Sequence, residues 1–504
     1  MSRKSRERKM KKAGKNLLKQ QEMNINFLPA KRFELNILRN ETYKQRKIML
    51  FAIISLFLGI YFTLVFYPGV LYSDSYTRWD TAKYILYSAY NFDFSNIHTW
   101  VSITPQFFMA FLYALTFNYA TFTLIQSILF FFSSFLMIDK FVYNYKIIVL
   151  ALFIICPIFY GYSVYHEMST GCIIGINFGI LLLTNENLKN WPNWKMILKI
   201  VYFSALFLCF YVTFGFRQNA FTIFPAIILT IIYLYKKYKN KLLSILQIAI
   251  IGFSLLFVSL FPAILKINVY SSSSAGFVWE ILSTIQEMPK DKQAKYNDYL
   301  DFISGDGSTS EALVLNSKSG SVNPWLWSIF TVQNIGDKNI RSKIQNRYMY
   351  FVFNETNYYL NTKFYFIGRN LGIIQPLNNP EYNYNRREQM HHYGMLDNGL
   401  RHWFVNSYNK FQEVTVVFRI PWIWFVIGLL AVIFQFFKAE RNHFLGTLLL
   451  YLIAIFYYSA FIINTQSFEF RYFFPAFYML FIITADSIGT IIYDVTNLNK
   501  RRTV

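Results

Sequence analysis

The run IMLFAIISLFLGIYFTLVF, from Ile48 to Phe66, contains no charged residue and is followed by Tyr67-Pro68-Gly69. An uncharged apolar run of this length is typical of a transmembrane helix, and a Pro-Gly pair ends a helix and turns the chain. Asp74 follows soon after. The stretch therefore predicts a first span with a carboxylate just beyond its end. Alternatively, Asp74 only caps a short helix that begins near Tyr76, because Asp is a favoured N-cap residue.

The composition extends this membrane interpretation to the whole chain. Of the 504 residues, 54% are hydrophobic and only 15% are charged, and the mean hydropathy is +0.28. Such a balance is not that of a soluble globular protein. Apolar runs lie near residues 48–67, 103–119, 121–138, 147–164, 169–185, 198–216, 219–235, 242–266, 414–437, 444–464 and 472–492. The sequence therefore predicts an all-α integral membrane bundle.

The net charge of +22 does not indicate a nucleic-acid partner. Lys and Arg gather in the N-terminal arm and in short loops between apolar runs, as in Lys236 to Lys241, and cytoplasmic loops of membrane proteins carry such an excess. The expected partner of this charge is membrane lipid. The three cysteines, Cys156, Cys172 and Cys209, fall within apolar segments and predict neither disulfides nor a metal site.

The loop charges also set the number of crossings. If every apolar run crossed, the basic N-terminus and the basic Lys500-Arg501-Arg502 tail would lie on opposite sides of the membrane. The loop charges are consistent with a single topology if the segment 103–119, which opens with Thr104-Pro105, enters the membrane and returns to the same side. Such re-entrant backbone is tolerated where protein buries it. We therefore expect about ten spans plus one re-entrant segment, with both termini cytoplasmic.

This topology divides the chain into five parts. The expected parts are a basic cytoplasmic arm at 1–47, an N-terminal transmembrane module at 48–266, an extracytoplasmic domain at 267–413, C-terminal transmembrane helices at 414–493 and a cytoplasmic tail at 494–504. The first outer loop, 69–102, has the aromatic and charged pattern of interfacial helices. The domain at 267–413 is expected to be mainly helical.

Polar residues collect at the predicted outer ends of the spans. They are Asp74 with Arg78, His98, His166 with Glu167, Arg217 with Asn219, and Arg471 with Tyr472. Taken singly, each charged residue has a plainer explanation: Arg217 and Arg471 could snorkel to the interface, and Glu167 could complement a helix dipole. Their convergence on one face favours a functional site, because charged residues beside a membrane usually face the bundle interior with a partner.

These side chains fit sugar transfer from a polyprenyl-phosphate carrier. An ionised Asp or Glu can take the proton of the acceptor hydroxyl, which makes Asp74 and Glu167 the candidate catalytic residues. Arginine can hold the lipid phosphate and stabilise its charge as it leaves. The candidate substrate-binding residues are Arg217, Asn219, Arg471, Tyr472, His98, His166 and Arg78.

The sequence resembles bacterial polytopic glycosyltransferases of the GT-C fold. The resemblance lies in Asp74 beyond span one, the entry Thr104-Pro105-Gln106, the acid Glu167 at an outer helix start, and Arg471-Tyr472-x-x-Pro475. It implies a polyprenyl-phosphate-linked sugar as donor, a glycan, lipid or protein acceptor, a bacterial cell membrane, and Asp74 as base. Two features depart from the family pattern: His98 stands several residues before a single proline, and the second acid is Glu rather than Asp.

Two other functions fit the same pattern. An outer-leaflet glycan polymerase or ligase would also have many spans and a large outer loop. A lipid-linked glycan transporter would be expected to show internal repeats or polar residues at the membrane midplane. The sequence shows no internal repeat and few polar residues within the apolar runs. No cofactor is firmly predicted, and a divalent metal is left open.

Overall fold

The computed structural model describes residues 29–70, 73–100, 102–165, 168–270, 273–316, 322–378, 398–438 and 441–502. Asp74 falls in a described helix, but its side chain is outside the described set. His166 and Glu167 lie outside the described residues altogether. Two compact units are present, Met1–Phe57 and Leu58–Val504. All contacts given below belong to the second.

The described residues are almost entirely helical. The α-helices are α1 Pro29–Val65, α2 Ser73–Asn91, α3 Thr104–Thr116, α4 Ala120–Phe141, α5 Lys146–Ile155, α6 Pro157–Val164, α7 Met168–Leu183, α8 Met196–Phe216, α9 Phe224–Tyr238, α10 Lys241–Ile264, α11 Ser273–Gln286, α12 Lys290–Gln293, α13 Ser308–Asn316, α14 Asn323–Leu326, α15 Val332–Gly336, α16 Lys338–Asn354, α17 Thr356–Asn370, α18 Gly399–Val414, α19 Pro421–Lys438, α20 Arg441–Ile463 and α21 Phe470–Arg502. Short 3-10 helices cover Glu186–Asn193, Gln218–Ile223, Ala294–Tyr296 and Val416–Arg419. The strands β1 His98–Thr99 and β2 Asn268–Val269 pair in parallel, with His98 opposite Asn268.

The described residues hold eight helices that are long and apolar enough to cross a membrane, or ten if two bent helix pairs each count as one span. Their positions follow the apolar runs of the sequence, so the predicted multi-pass, all-α class is confirmed. The first bent pair is α5 and α6, which meet at 61°. The sequence predicted one continuous span there, but Pro157 begins a new helix because its ring and missing N–H interrupt the hydrogen-bond ladder.

The segment predicted to be re-entrant forms α3. This helix has 13 residues and is therefore about 20 Å long, shorter than the hydrocarbon core of about 30 Å. Pro105 stands in its first turn, and Phe117 ends it in the left-handed conformation. The length is compatible with a segment that enters and returns, and the re-entrant path itself stays a prediction.

The predicted first outer loop contains α2, which packs on α3. Trp79, Ala82 and Ile85 of α2 are buried in a cluster that includes Met109 of α3. On its other side α2 exposes tyrosines, with Tyr90 at 87% exposure. The helix therefore has one packed and one open aromatic face, as expected of an interfacial helix.

Helices α7 and α8 approach closely because glycine lines their contact. Gly171, Gly175 and Gly179 recur every fourth residue, on one face of α7. A Cβ at Gly175 would lie 2.6 Å from the carbonyl oxygen of Cys209 on α8. Small residues with this spacing let membrane helices pack backbone to backbone. The packing sets the start of α7 beside the end of α8.

The helices between α10 and α19 contain a buried ion pair. Glu280 on α11 is 1% exposed, and its Oε1 lies 2.6 Å from Nζ of Lys363 on α17. Tyr348 donates a hydrogen bond of 2.9 Å to Oε2 of the same carboxylate. Burial raises the pKa of Glu280, and Lys363 opposes this shift. The expected mainly helical character of 267–413 agrees with the described helices, while the domain boundaries stay predictions.

Candidate functional site

Three helix ends meet at the buried hydroxyl of Ser169. Ser169 is in the first turn of α7, Arg217 directly follows α8, and Arg471 is in the first turn of α21. Arg217 donates to Ser169 Oγ from Nη2 at 2.8 Å and from Nε at 3.3 Å. Ser169 in turn donates to the carbonyl oxygen of Arg471 at 2.8 Å. One hydroxyl therefore couples a guanidinium to the backbone of a second arginine.

Both guanidinium groups lie against the ring of Tyr472. The central carbon is 5.0 Å from the ring centre for Arg217 and 5.2 Å for Arg471. Each distance is within the range of a cation–π attraction. Because both cations contact one ring, they are no more than about 10 Å apart. Phe461 stacks on Tyr472 with centroids 4.9 Å apart. This stacking fixes the ring that positions the two cations.

A carboxylate belongs to the same group. Nε of Arg471 lies 2.5 Å from Oε2 of Glu469, and Ser467 donates to the other carboxylate oxygen at 2.7 Å. Both side chains of the ion pair are largely buried, at 10% and 14% exposure. We call Ser169, Arg217, Glu469, Arg471 and Tyr472 the arginine cluster. Its formal charge is one positive unit.

Helix α17 holds the segment that leads into the cluster. Lys363 donates to the carbonyl oxygen of Ile463 at 2.7 Å, and Asn370 donates to Thr465 Oγ1 at 2.8 Å. The guanidinium of Arg369 lies 4.9 Å from the ring centre of Phe468. Contacts at both ends of 463–468 therefore set the position from which Glu469 and Arg471 follow.

The segments that carry the two predicted acids are paired through their backbones. Val70 donates to the carbonyl oxygen of Val164 at 3.0 Å and forms a parallel bridge with Tyr165. Gln126 of α4 donates to the carbonyl oxygen of Tyr165 at 2.9 Å, and Thr123 of α4 donates to that of Pro68 at 2.5 Å. One helix thus fixes the chain just before Asp74 and just before His166-Glu167.

Arg401 fixes the turn at Pro68-Gly69. It is 4% exposed and donates to the carbonyl oxygen of Tyr67 at 3.0 Å and to that of Gly69 at 3.4 Å. A cation there also complements the negative end of the α1 dipole. The sequence offered no specific indication of this role, since Arg401 stands far along the chain among other basic residues.

The remaining predicted residues lie on neighbouring elements. Arg78 is buried on α2, at 4% exposure. His98 stands in β1, where Nδ1 is 2.9 Å from the hydroxyl of Tyr270 and the two rings stack. Asn219 is half-buried in the 3-10 helix after Arg217, and its carbonyl oxygen accepts from Thr222. The described contacts of His98 and Asn219 are with these residues and not with the arginine cluster.

The structure thus brings together Arg217, Arg471 and Tyr472 and adds two residues that were not predicted as site residues. Glu469 stands two positions before Arg471, so its proximity could have been expected from the sequence. Ser169 gave no such indication, because a serine at the start of an apolar run usually caps or solvates a helix end. Its role depends on the close packing of α7 and α8.

Among the residues that the structure describes, no group of three His, Cys, Asp or Glu side chains is arranged to hold a metal ion. Comparisons of the chain with protein-family models, curated proteins and solved structures found no match.

Proposed function

We propose that the protein is a membrane glycosyltransferase that moves a sugar from a polyprenyl-phosphate donor to a cell-envelope glycan, lipid or protein acceptor at the outer face of a bacterial membrane. The observation that carries the proposal is the pair of arginines on the Tyr472 ring. Arginine forks match phosphate oxygens, and two of them beside apolar helices suit a phosphate that is attached to a hydrocarbon chain.

The two guanidinium groups of the cluster suit this chemistry. A polyprenyl-phosphate sugar is a phosphodiester with one negative charge, which an arginine fork can pair with. When the sugar leaves, the lipid becomes a phosphate monoester, whose charge at neutral pH is about −1.5 to −2. Cations fixed beforehand at this position stabilise the charge that develops in the transition state. The attraction to the arginines is thus greater for the product-like state than for the bound donor.

Proton balance requires a base for the acceptor. The acceptor oxygen forms a bond with the sugar C1, its proton passes to a carboxylate, and the bond between C1 and the phosphate oxygen breaks with its electrons on that oxygen. Asp74 is the proposed base, with Glu167 as the second candidate. The pairing of Val70 with Tyr165, just before the two acids in the chain, supports placing both near one site.

The test uses the purified full chain in lipid nanodiscs with a polyprenyl-phosphate hexose and membrane acceptors. The expected result is covalent sugar transfer with equal release of polyprenyl phosphate, and none from a nucleotide sugar. Movement of the lipid-linked sugar between leaflets without bond cleavage would instead indicate a transporter. Transfer from nucleotide sugars alone would contradict the proposal.

The variant Arg217→Lys tests whether the transfer activity depends on the arginine cluster. Lysine keeps the charge but cannot make both hydrogen bonds to Ser169 or present a planar fork to phosphate. Hydrogen bonds to charged groups contribute about 1.5–3 kcal/mol, so we expect transfer to fall roughly 10- to 100-fold. Arg347→Lys is the matched control, because Arg347 also lies on a tyrosine ring, that of Tyr299, at 4.3 Å. Equal activity of the two variants would leave Arg217 as an interfacial anchor.

A further inference from the structure

A cavity with a mainly apolar wall lies away from the arginine cluster. It is bounded by the ends of α4, α7 and α9 and by the start of α20, and its volume is about 410 Å³. That volume is typical of a pocket for a small organic ligand. Thr184, which lines the cavity just after α7, is roughly 22 Å along that helix from Ser169 of the arginine cluster. The cavity is therefore separate from the arginine cluster.

The lining of the cavity is amphipathic. Its wall is mainly aliphatic, with Leu229, Leu448 and Leu452 among the residues that form it. Among the described residues that line it, the charged ones are Lys140, Lys237 and Glu186, and in this set the cations exceed the anions by one. Tyrosine side chains and His443 complete the polar part. An apolar wall with a cationic mouth fits a molecule with a hydrocarbon chain and a single negative charge.

The polar side of the cavity is held in place by buried contacts. Nε2 of His443 lies 2.7 Å from Oδ2 of Asp486, which is 1% exposed. Gln435 donates to the same oxygen at 2.7 Å, and the backbone N–H of Tyr143 donates to Oδ1 at 2.8 Å. Lys140 donates to the carbonyl oxygen of Thr184 at 2.8 Å, where α7 has ended. These bonds fix His443 and Lys140, whereas Lys237 is an exposed lysine at the mouth.

We propose that this cavity binds an anionic phospholipid, with the phosphate beside Lys140 and Lys237 and part of an acyl chain along the leucine wall. Basic pockets between transmembrane helices bind anionic lipid head groups in this way. The site is in the part of the chain with the lysine-rich loop Lys236 to Lys241, which the charge rule assigns to the cytoplasm. The inference does not depend on the proposed sugar transfer.

The probe is phosphatidylglycerol, titrated against the full chain purified in phosphatidylcholine nanodiscs. Native mass spectrometry of the released protein should retain phosphatidylglycerol in preference to phosphatidylcholine. Lys237→Met should weaken this retention about fivefold, the effect of one cation near a lipid phosphate. Lys236→Met is the matched control, since Lys236 is in the same helix but does not line the cavity. An equal loss in both variants would mean general surface charge and would overturn the site.

A second variant tests the hydrocarbon part. Leu448→Trp fills the cavity without changing its charge, and we expect it to lose phosphatidylglycerol while Lys236→Met keeps it. Unchanged binding by Leu448→Trp, or equal retention of phosphatidylcholine, would contradict the proposal. The last measurement compares the unfolding temperature with inorganic phosphate and with phosphatidylglycerol. An equal increase with both would mean that the site binds free phosphate and that the lipid assignment is wrong. Lys237 is exposed, so its variant remains informative even if Leu448→Trp fails to fold.

Discussion

The guanidinium of Arg217 lies 5.0 Å from the ring centre of Tyr472, although 254 residues stand between them in the chain. They meet because the end of α8 and the start of α21 both contact Ser169. The same ring lies 5.2 Å from Arg471. One aromatic side chain therefore contacts two cations, and its attraction to each offsets part of their mutual repulsion. Tyr472 is a positioning residue for whatever anion the arginines hold.

Removing this ring should loosen both arginines. We expect Tyr472→Leu to raise the KM for the lipid-linked donor about 5- to 30-fold, because each cation–π contact contributes roughly 0.5–1 kcal/mol and more when desolvated. Tyr472→Phe keeps the ring and removes the hydroxyl, whose described hydrogen bond from Arg471 is a long one of 3.5 Å, so it should be close to wild type. Steady-state kinetics on both variants give the comparison. A Phe variant as impaired as the Leu variant would assign the role to the hydroxyl.

Close packing of α7 against α8 should be sensitive to a single methyl group. In Gly175→Ala the new Cβ would meet the backbone of α8, at 2.6 Å from Cys209 O and 2.8 Å from Thr213 N. Overpacking of this kind costs about 1–3 kcal/mol, so the unfolding temperature should fall. Gly252→Ala on α10 is the control, because nothing lies within 4 Å of its Cβ, and it should be neutral or slightly stabilising. Similar unfolding temperatures for the two variants would argue against this helix contact.

Burial of Glu280 should make stability depend on pH. Because the pKa of Glu280 is raised in the folded protein, the folded state binds its proton more tightly than the unfolded state does. The stability from this group is therefore greatest at low pH and falls as the pH rises from about 4.3 through the raised pKa. Glu280→Gln cannot titrate, so the difference in unfolding temperature between it and wild type should change across this window.

The control for that titration is Glu287→Gln, on an exposed residue that follows α11. A parallel response in the two variants would mean that the pH dependence comes from the rest of the surface and not from the Glu280–Lys363 pair.

The long apolar runs were enough to predict the helical membrane class, because a segment without charges has few alternatives to a span. The local geometry of the helices was harder to predict from the sequence. The break at Pro157 was missed because hydropathy alone does not register the bend that proline causes. The glycine spacing of Gly171, Gly175 and Gly179 was present in the sequence, but which helix it faces depends on the tertiary packing.

The candidate site was predictable where its residues stand at span ends. Arg217 and Arg471 were found because a charge beside an apolar run is costly and needs a reason. Ser169 and Arg401 were not, since a hydroxyl in a helix start and a cation in a polar region are ordinary locally. Their roles arise from contacts across large sequence separations, which no local pattern contains.

The decisive variant is Asp74→Asn. Asparagine and aspartate are about equal as N-caps, so a capping role at the start of α2 would survive the change. A base role would not, because the amide cannot accept the proton of the acceptor hydroxyl. We expect sugar transfer to fall about 10²- to 10⁴-fold, the usual contribution of a general base, with an unchanged unfolding temperature. Asp80→Asn on the same helix, where Asp80 lies 3.6 Å from Lys83, is the control and should retain transfer. Near-normal activity of Asp74→Asn would leave Asp74 as a cap and make Glu167 the leading candidate for the base.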